Sequence, residues 1–295
     1  MADLNAQQTP ATKKSIYNYK LFVVFSVVLL VLSIGILVNN YLTTGEFMKR
    51  GIDLKGGSII SINLQQSTDT AKLQTGLSSK FQGISVREIK GISGYEVSIE
   101  APVDIDTKQI LSEAAAFGLP TDKVSLRSVG SSLGSSFFFQ VQVGIIVSFV
   151  LMAIVVFVMF RTFAPSSAVL LAAISDIVET MAFMQIFKID LTLTSFAALL
   201  MLIGYSVDTD ILLTARVLKS TSSIPISERV KGAFKTGITM TLTAIGVLSV
   251  LLVSNLSPVL SQIASVLLIG LSFDIVNTWI QNVAIIRRYA EKKGL

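Results

Sequence analysis

Apolar runs of roughly bilayer length divide this chain and constrain it more than any other feature. They fall at about 21–38, 138–160, 166–187, 191–214, 237–253 and 259–286. A bilayer-crossing helix needs roughly 20 mostly apolar residues, and only helices or closed barrels satisfy their backbone groups in lipid. Six such runs therefore predict an α-helical integral membrane protein with six transmembrane helices. Composition agrees: 15% of residues are charged and mean hydropathy is +0.70, whereas soluble domains carry about 25% charged residues. The run near the N-terminus ends in Val38-Asn39-Asn40-Tyr41 rather than in a small-residue cleavage site, so it reads as an uncleaved helix.

Residues 43–136 differ in character. Basic and acidic residues interleave there, and no run is long enough to cross. Strands are expected at 57–64, 84–89, 95–99 and 123–129, with Gly91-Ile92-Ser93-Gly94 as a hairpin turn. Helices are expected at 68–81, capped by Ser67, and at 106–117, stopped by Gly118 and Pro120. That order, βαββαβ, predicts an α+β ferredoxin-like domain between the first and second membrane helices. Gly130 to Ser136 reads as a flexible junction. The expected plan is a tail at 1–20, a membrane helix at 21–42, the domain at 43–136, five membrane helices within 137–286, and a tail at 287–295.

Cytoplasmic loops carry the excess of Lys and Arg. Lys13, Lys14, Arg161, Arg216, Lys219 and the clusters at 229–235 and 287–293 fall on one side. Lys188 is the only basic residue in the two short loops opposite. Both termini are therefore expected in the cytoplasm and residues 43–136 outside. The net charge of +5 is accounted for by this orientation signal, so no nucleic-acid partner is expected.

The stretch Leu199–Val217 carries the most chemistry. It starts as an uncharged apolar run, then places Asp208 and Asp210 at membrane depth and closes on Arg216. A carboxylate there costs roughly 3 kcal/mol on insertion scales and marks a functional site by default. Asp176 and Asp274 fall near the middle of two other spans, and Glu179 shares a helix face with Asp176. Asp208 and Asp210 are two residues apart and point to nearly opposite faces. Asp208 is expected to face the interior on an ion path, with Asp210 nearer the headgroups and pairing with Arg216 or Lys235. Gly204 is expected to let another backbone approach, and Ser206, Thr209 and Thr214 to hydrogen-bond across helices. Neutral Asp side chains bonded to hydroxyls are the structural alternative to an ion relay. With no Cys and no His, thiol chemistry and the commonest metal ligands are excluded. No G-x-x-x-x-G-K-[ST] loop is present, so no ATP site of that type is expected. No catalytic residue, metal or cofactor is expected, and any driving energy must come from a gradient or a partner.

The motifs resemble a known family. One helix, an external domain and five helices is similar to the half-unit of the resistance-nodulation-division superfamily. Gly51-Ile-Asp-Leu-Lys-Gly-Gly57, with Asp53, Gly56 and Gly57, resembles the D-x-x-G-G signature of the SecF subunits of the SecD/SecF protein-export family. Val129-Gly-Ser-Ser-Leu-Gly134, with Gly130, Leu133 and Gly134, resembles their V-G-x-x-L-G motif ahead of helix two. Gly204-Tyr205-Ser206 resembles their helix-four G-Y-S. Bacterial members continue x-N-D-T where this chain has Val-Asp-Thr-Asp, so acids flank the familiar Asp position at Thr209; Lys235-Thr236 replaces Arg-Thr. These departures look like an archaeal branch.

The resemblance implies a non-enzymatic accessory of Sec-pathway protein export in the cytoplasmic membrane. It would pair with a SecD-like subunit beside the translocation channel, handle the exported polypeptide, contact membrane lipids and couple to a proton or sodium gradient. The alternatives are a small-molecule or ion exporter of the same superfamily and a structural assembly factor without ion flux. On the residues alone, Asp53 to Gly57 reads first as a structural turn.

Overall fold

The computed structural model describes residues 19–91, 94–121, 124–219, 224–254 and 256–294. Its six longest helical units are each long and apolar enough to cross a membrane. They are α1 (Tyr19–Thr44), α5 (Ser131–Phe160), α6 (Phe163–Ile186), α7 (Leu193–Lys219), α8 (Ile226–Ser254) and a last unit running from Pro258 to Lys293. That last unit is α9 (Pro258–Val276), a π-helical segment (Asn277–Asn282) and α10 (Val283–Lys293). Together with the family comparisons below, these helices make the chain a multi-pass membrane protein.

The helices differ in how much they bury. α6 and α7 are the most enclosed, while α1, α5 and α8 expose most of their apolar length. Exposed Val, Leu, Ile and Phe such as Val31, Val155 and Val250 suit a lipid-facing surface. α9 sits centrally and packs against α6, α7 and α8. The bundle core runs through Val169, Ala173, Leu199, Leu202, Val266 and Leu267.

Between α1 and α5 lies an antiparallel sheet of four strands, β1 (Gly57–Leu64), β2 (Ser85–Gly91), β3 (Gly94–Ala101) and β4 (Val124–Val129), in the order β2-β3-β1-β4. Two helices, α3 (Thr70–Lys80) and α4 (Thr107–Ala116), connect them. Alternation explains the layering. Ile60 and Ile62 on β1 and Val97 and Ile99 on β3 are fully buried against Leu73, Leu77, Ile110 and Ala114 of the two helices. Their neighbours Ile59, Ser61, Ser98 and Glu100 stand on the other face. The register Ser61↔Ser98 and Ile60↔Ile99 keeps the two faces distinct. Each buried Ile is worth about 1.5–3 kcal/mol of transfer free energy, so this small sheet has its own core.

Several local expectations are corrected. The cap of α3 is Asp69, whose carboxylate accepts from the Lys72 N–H, and not Ser67. Gly130 to Ser136 is not a flexible junction. Gly130 is the N-cap of α5 and the helix starts at Ser131, because Gly134 is pinned against the domain as described below. The helix that carries the apolar run from 237 begins at Ile226, and the one that carries the run to 286 continues to Lys293, as the room for an extension beyond that span allows. Polar, charged turns at helix ends remain helical in the interfacial layer, and an apolar-run criterion cuts them off. Strands β2 and β3 pair Gly91 with Gly94; positions 1–18 of the expected tail, positions 92 and 93 of the expected turn, and Lys123 lie outside the described residues.

Candidate functional site

Two of the sequence motifs meet at a joint between sheet and bundle. Gly51-Ile-Asp-Leu-Lys forms a short helix, α2 (Ile52–Lys55), which packs on the first turns of α5. Gly56 and Gly57 then turn the chain into β1 with φ of 87° and 142°. A Cβ on Gly56 would stand 2.6 Å from the Ser131 Cα, and one on Gly134 would stand 2.6 Å from the Gly56 N. Such separations are not available to real Cβ atoms, so Gly56 and Gly134, one from each motif, are required for this backbone contact. Asp53 is buried and pairs with Arg127 of β4 at 3.1 Å. Leu133 is half exposed. This set is a packed joint between the sheet and the start of α5.

Beside it, the loop joining α6 to α7 is clamped to the domain. Leu191 donates to the Lys49 carbonyl at 2.9 Å and accepts from the Gly51 N–H at 2.8 Å. The buried Asp190 carboxylate pairs with Lys49 at 3.2 Å and with Arg87 of β2. Glu100 faces the same group, and burial pushes its carboxyl above the ordinary range, offset in part by Arg87. Burial would also raise Glu46, but bonds from Arg50 and Lys55 hold it below its usual value. Sequence reasoning missed Asp190, since a single acid in a short loop carries no pattern.

The interior of the bundle holds the acids. Asp176, Glu179, Asp210 and Asp274 are all buried. Asp176 accepts from the Ser206 hydroxyl and from the Asn277 amide at 2.8 Å. The same amide reaches Glu179 Oε2 at 2.8 Å. Asp274 accepts from the Thr209 hydroxyl at 3.2 Å and from Thr278 at 3.0 Å. Asp210 Oδ1 accepts from Asn282 at 2.6 Å and from Thr278 at 3.0 Å. The Thr278 hydroxyl has one proton and stands within reach of two carboxylates. One network thus links α6, α7 and the last helical unit.

The network is short of donors. Glu179 Oε1, Asp210 Oδ2, Asn277 Oδ1 and Asn282 Oδ1 are buried without a partner. Among the described residues no Lys or Arg pairs with these four carboxyl groups, and no three acidic side chains converge as a metal-ligand cluster. Unpaired charges in so dry a place cost several kcal/mol each.

The expectation for helix four is corrected. Asp210 faces this interior and Asp208 does not; Asp208 is exposed on the outer face of α7. Ser206 lies four residues before Asp210, on the same helix face, while Gly204 and Tyr205 lie on the face of Asp208. Asp208 lines an open groove of about 520 Å³ between α7 and α8 with Tyr205, Thr239, Met240 and Thr243. A Cβ on Gly204 would meet nothing within 4 Å, so among the described residues no other backbone approaches it. Neither expected partner pairs with Asp210. Arg216 donates to the Gly232 carbonyl at 2.7 Å, tying α7 to α8, and Lys235 is exposed.

The π-helical segment was also missed. The Val283 N–H bonds to the Thr278 carbonyl five residues back, and such insertions are frequent at functional sites. Asn277, Thr278, Gln281 and Asn282 are all buried there. Their spacing in an otherwise apolar run was the available signal.

Comparison with known proteins places these features. Residues 109–292 match the model of the C-terminal region of the SecD/SecF protein export membrane proteins. A protein-export membrane protein SecF of Pyrococcus furiosus is 36% identical over 282 residues, 93% of this chain and 92% of that one. One from Methanothermobacter thermautotrophicus is 40% identical over 252 residues, 84% of this chain and 86% of the relative. The crystal structure of SecDF, a translocon-associated membrane protein from Thermus thermophilus, superposes with TM-score 0.73 at 18% identity. That match covers 92% of this chain and 38% of the SecDF chain, a likeness of fold. The chain belongs to the SecD/SecF family of protein-export membrane proteins, with SecF proteins as its full-length relatives.

Proposed function

We propose that this protein is the SecF-type half of a two-subunit accessory of Sec-pathway protein export, coupled to an ion gradient. The observation that carries the coupling is the buried acid network. Four carboxyl groups without a cationic partner are costly, and an assembly factor has no use for them. Their donors are single-proton hydroxyls and shared amides, and the acids do not gather around one point. Protons therefore fit the site better than a sodium ion.

The partner is a SecD-like subunit. This chain matches 38% of the solved SecDF chain, and Asp208 lies open in a membrane-depth groove, as expected of a face that a second bundle covers. The domain between α1 and α5 is ferredoxin-like, lies outside the cytoplasmic membrane and holds the emerging polypeptide near the channel. Its strand order leaves β4 at an edge where an extended chain can add by backbone pairing. The clamp of Asp190 by Lys49 and Arg87 ties this domain to the loop between α6 and α7, both of which carry acids. A small-molecule exporter would need a larger external substrate cleft than a four-stranded domain supplies.

The test is co-expression with the SecD-like protein of the same organism and reconstitution with the translocation channel. Co-purification and export stimulated by an imposed proton gradient are expected. Absence of a stable complex, or stimulation by a sodium gradient alone, refutes the corresponding part.

A further inference from the structure

We propose that the groove between α5 and α6 is a seat for one anionic phospholipid, with Arg161 and Lys219 as its headgroup contacts. The groove has a volume of about 630 Å³ and is lined by Ala153, Phe157, Val158, Phe163, Leu170 and Ile174, among others. Its two lining hydroxyls do not seek a ligand: Ser166 donates to the Thr162 carbonyl and Ser167 to the Ala164 carbonyl, both at 2.9 Å. A partner helix with polar groups would gain nothing there, whereas a hydrocarbon chain matches the lining.

The length fits one leaflet. Ala153 stands eight residues before Arg161, about 12 Å along α5, and Ile174 stands eleven after Phe163, about 16 Å along α6. Half of a hydrocarbon core is about 15 Å. The groove therefore runs from the helix ends to about the bilayer centre.

Charge selects the headgroup. Arg161 caps α5 in a left-handed conformation with φ of 52° and is exposed. Among the described residues its guanidinium has no ion pair or hydrogen bond. Lys219 reaches the same turn, donating to the Met159 carbonyl at 3.1 Å and lying 5.6 Å over the Phe160 ring, with donors to spare. Basic pockets between membrane helices bind anionic headgroups in this way. Neither the acid network nor the export reading enters this argument.

The experiment uses the full chain, purified and delipidated in detergent, and native mass spectrometry titrated with three probes: phosphatidylglycerol, phosphatidylcholine and glycerol phosphate. Phosphatidylglycerol should bind about thirtyfold more tightly than phosphatidylcholine. Arg161→Gln should remove about fivefold, and Arg161→Gln with Lys219→Gln about thirtyfold, of that affinity, leaving phosphatidylcholine unchanged; Arg161→Lys should retain most of it. Ala153→Trp should weaken both lipids. Equal binding of the two lipids, indifference to Arg161→Gln, or displacement by glycerol phosphate at matching concentration would overturn the assignment. So would a photo-crosslinker at Ile154 that captures a protein chain in native membranes instead of lipid.

Discussion

Replacing Asp210 separates titration from packing. In Asp210→Asn the Oδ1 acceptor survives, so the bonds from Asn282 at 2.6 Å and Thr278 at 3.0 Å remain. The amide that replaces Oδ2 meets a region with surplus acceptors, the Asn282 Oδ1 among them, so folding should change by less than about 1 kcal/mol. Asp210→Leu instead leaves the buried Asn282 amide without an acceptor, at about 1–3 kcal/mol, while the Thr278 hydroxyl keeps Asp274 at 3.0 Å. Thermal unfolding in detergent should therefore rank wild type and Asn together, with Leu well below. Export into proteoliposomes should rank differently: both variants lose the gradient-stimulated component, and Asp208→Asn keeps it. Full gradient stimulation in Asp210→Asn would refute the relay. Loss of stimulation in Asp208→Asn, with Asp210→Asn unaffected, would return the path to the outer face of α7.

Three further outcomes follow. Because the chain has no Cys, Lys72→Cys should label from outside intact cells and Lys219→Cys should not; the reverse pattern would invert the topology. Gly134→Ala puts a Cβ 2.6 Å from the Gly56 N, which neither backbone can yield cheaply, so it should destabilise by at least about 1–3 kcal/mol and loosen the domain on the bundle in hydrogen exchange; an unchanged exchange pattern would remove the joint. Glu100 has its folded-state carboxyl raised by burial, so it favours the fold at low pH and penalises it as pH rises through the folded value; Glu100→Gln should flatten that fall in thermal midpoint, and an equally steep fall in the variant would reject Glu100 as its source.

Elements set by local pattern are legible in the order of residues. Apolar length marks the spanning helices, and β-rich composition with rough alternation marks β1, expected and found at Gly57–Leu64. Asp106 caps α4 and Gly118 takes a positive φ just beyond it, as the residue types require. Less legible are ends and faces. The ends of α5 and α8 run through polar residues that a hydropathy criterion assigns to loops. On α7 both acids sit in an apolar context, so hydropathy alone does not say which faces inward. The four-residue spacing from Ser206 to Asp210 is a usable clue, since interhelical hydrogen bonds gather on the inward face.

What the sequence determined by itself is therefore the membrane class, the spanning runs and the presence of costly acids at depth, because each depends only on residues close in the chain. What tertiary structure decided is which acids share a space. Asp176, Glu179, Asp210 and Asp274 come from three helices separated by 30 residues or more, and only the packing of α9 against α6 and α7 brings them together. The same packing turns Asp208 outward, sets Asn277 and Asn282 of the π turn against the acids, and leaves the network short of hydrogen-bond donors. Lipid exposure is a property of a helix face, and a face is chosen by neighbours, not by the residue that lies on it.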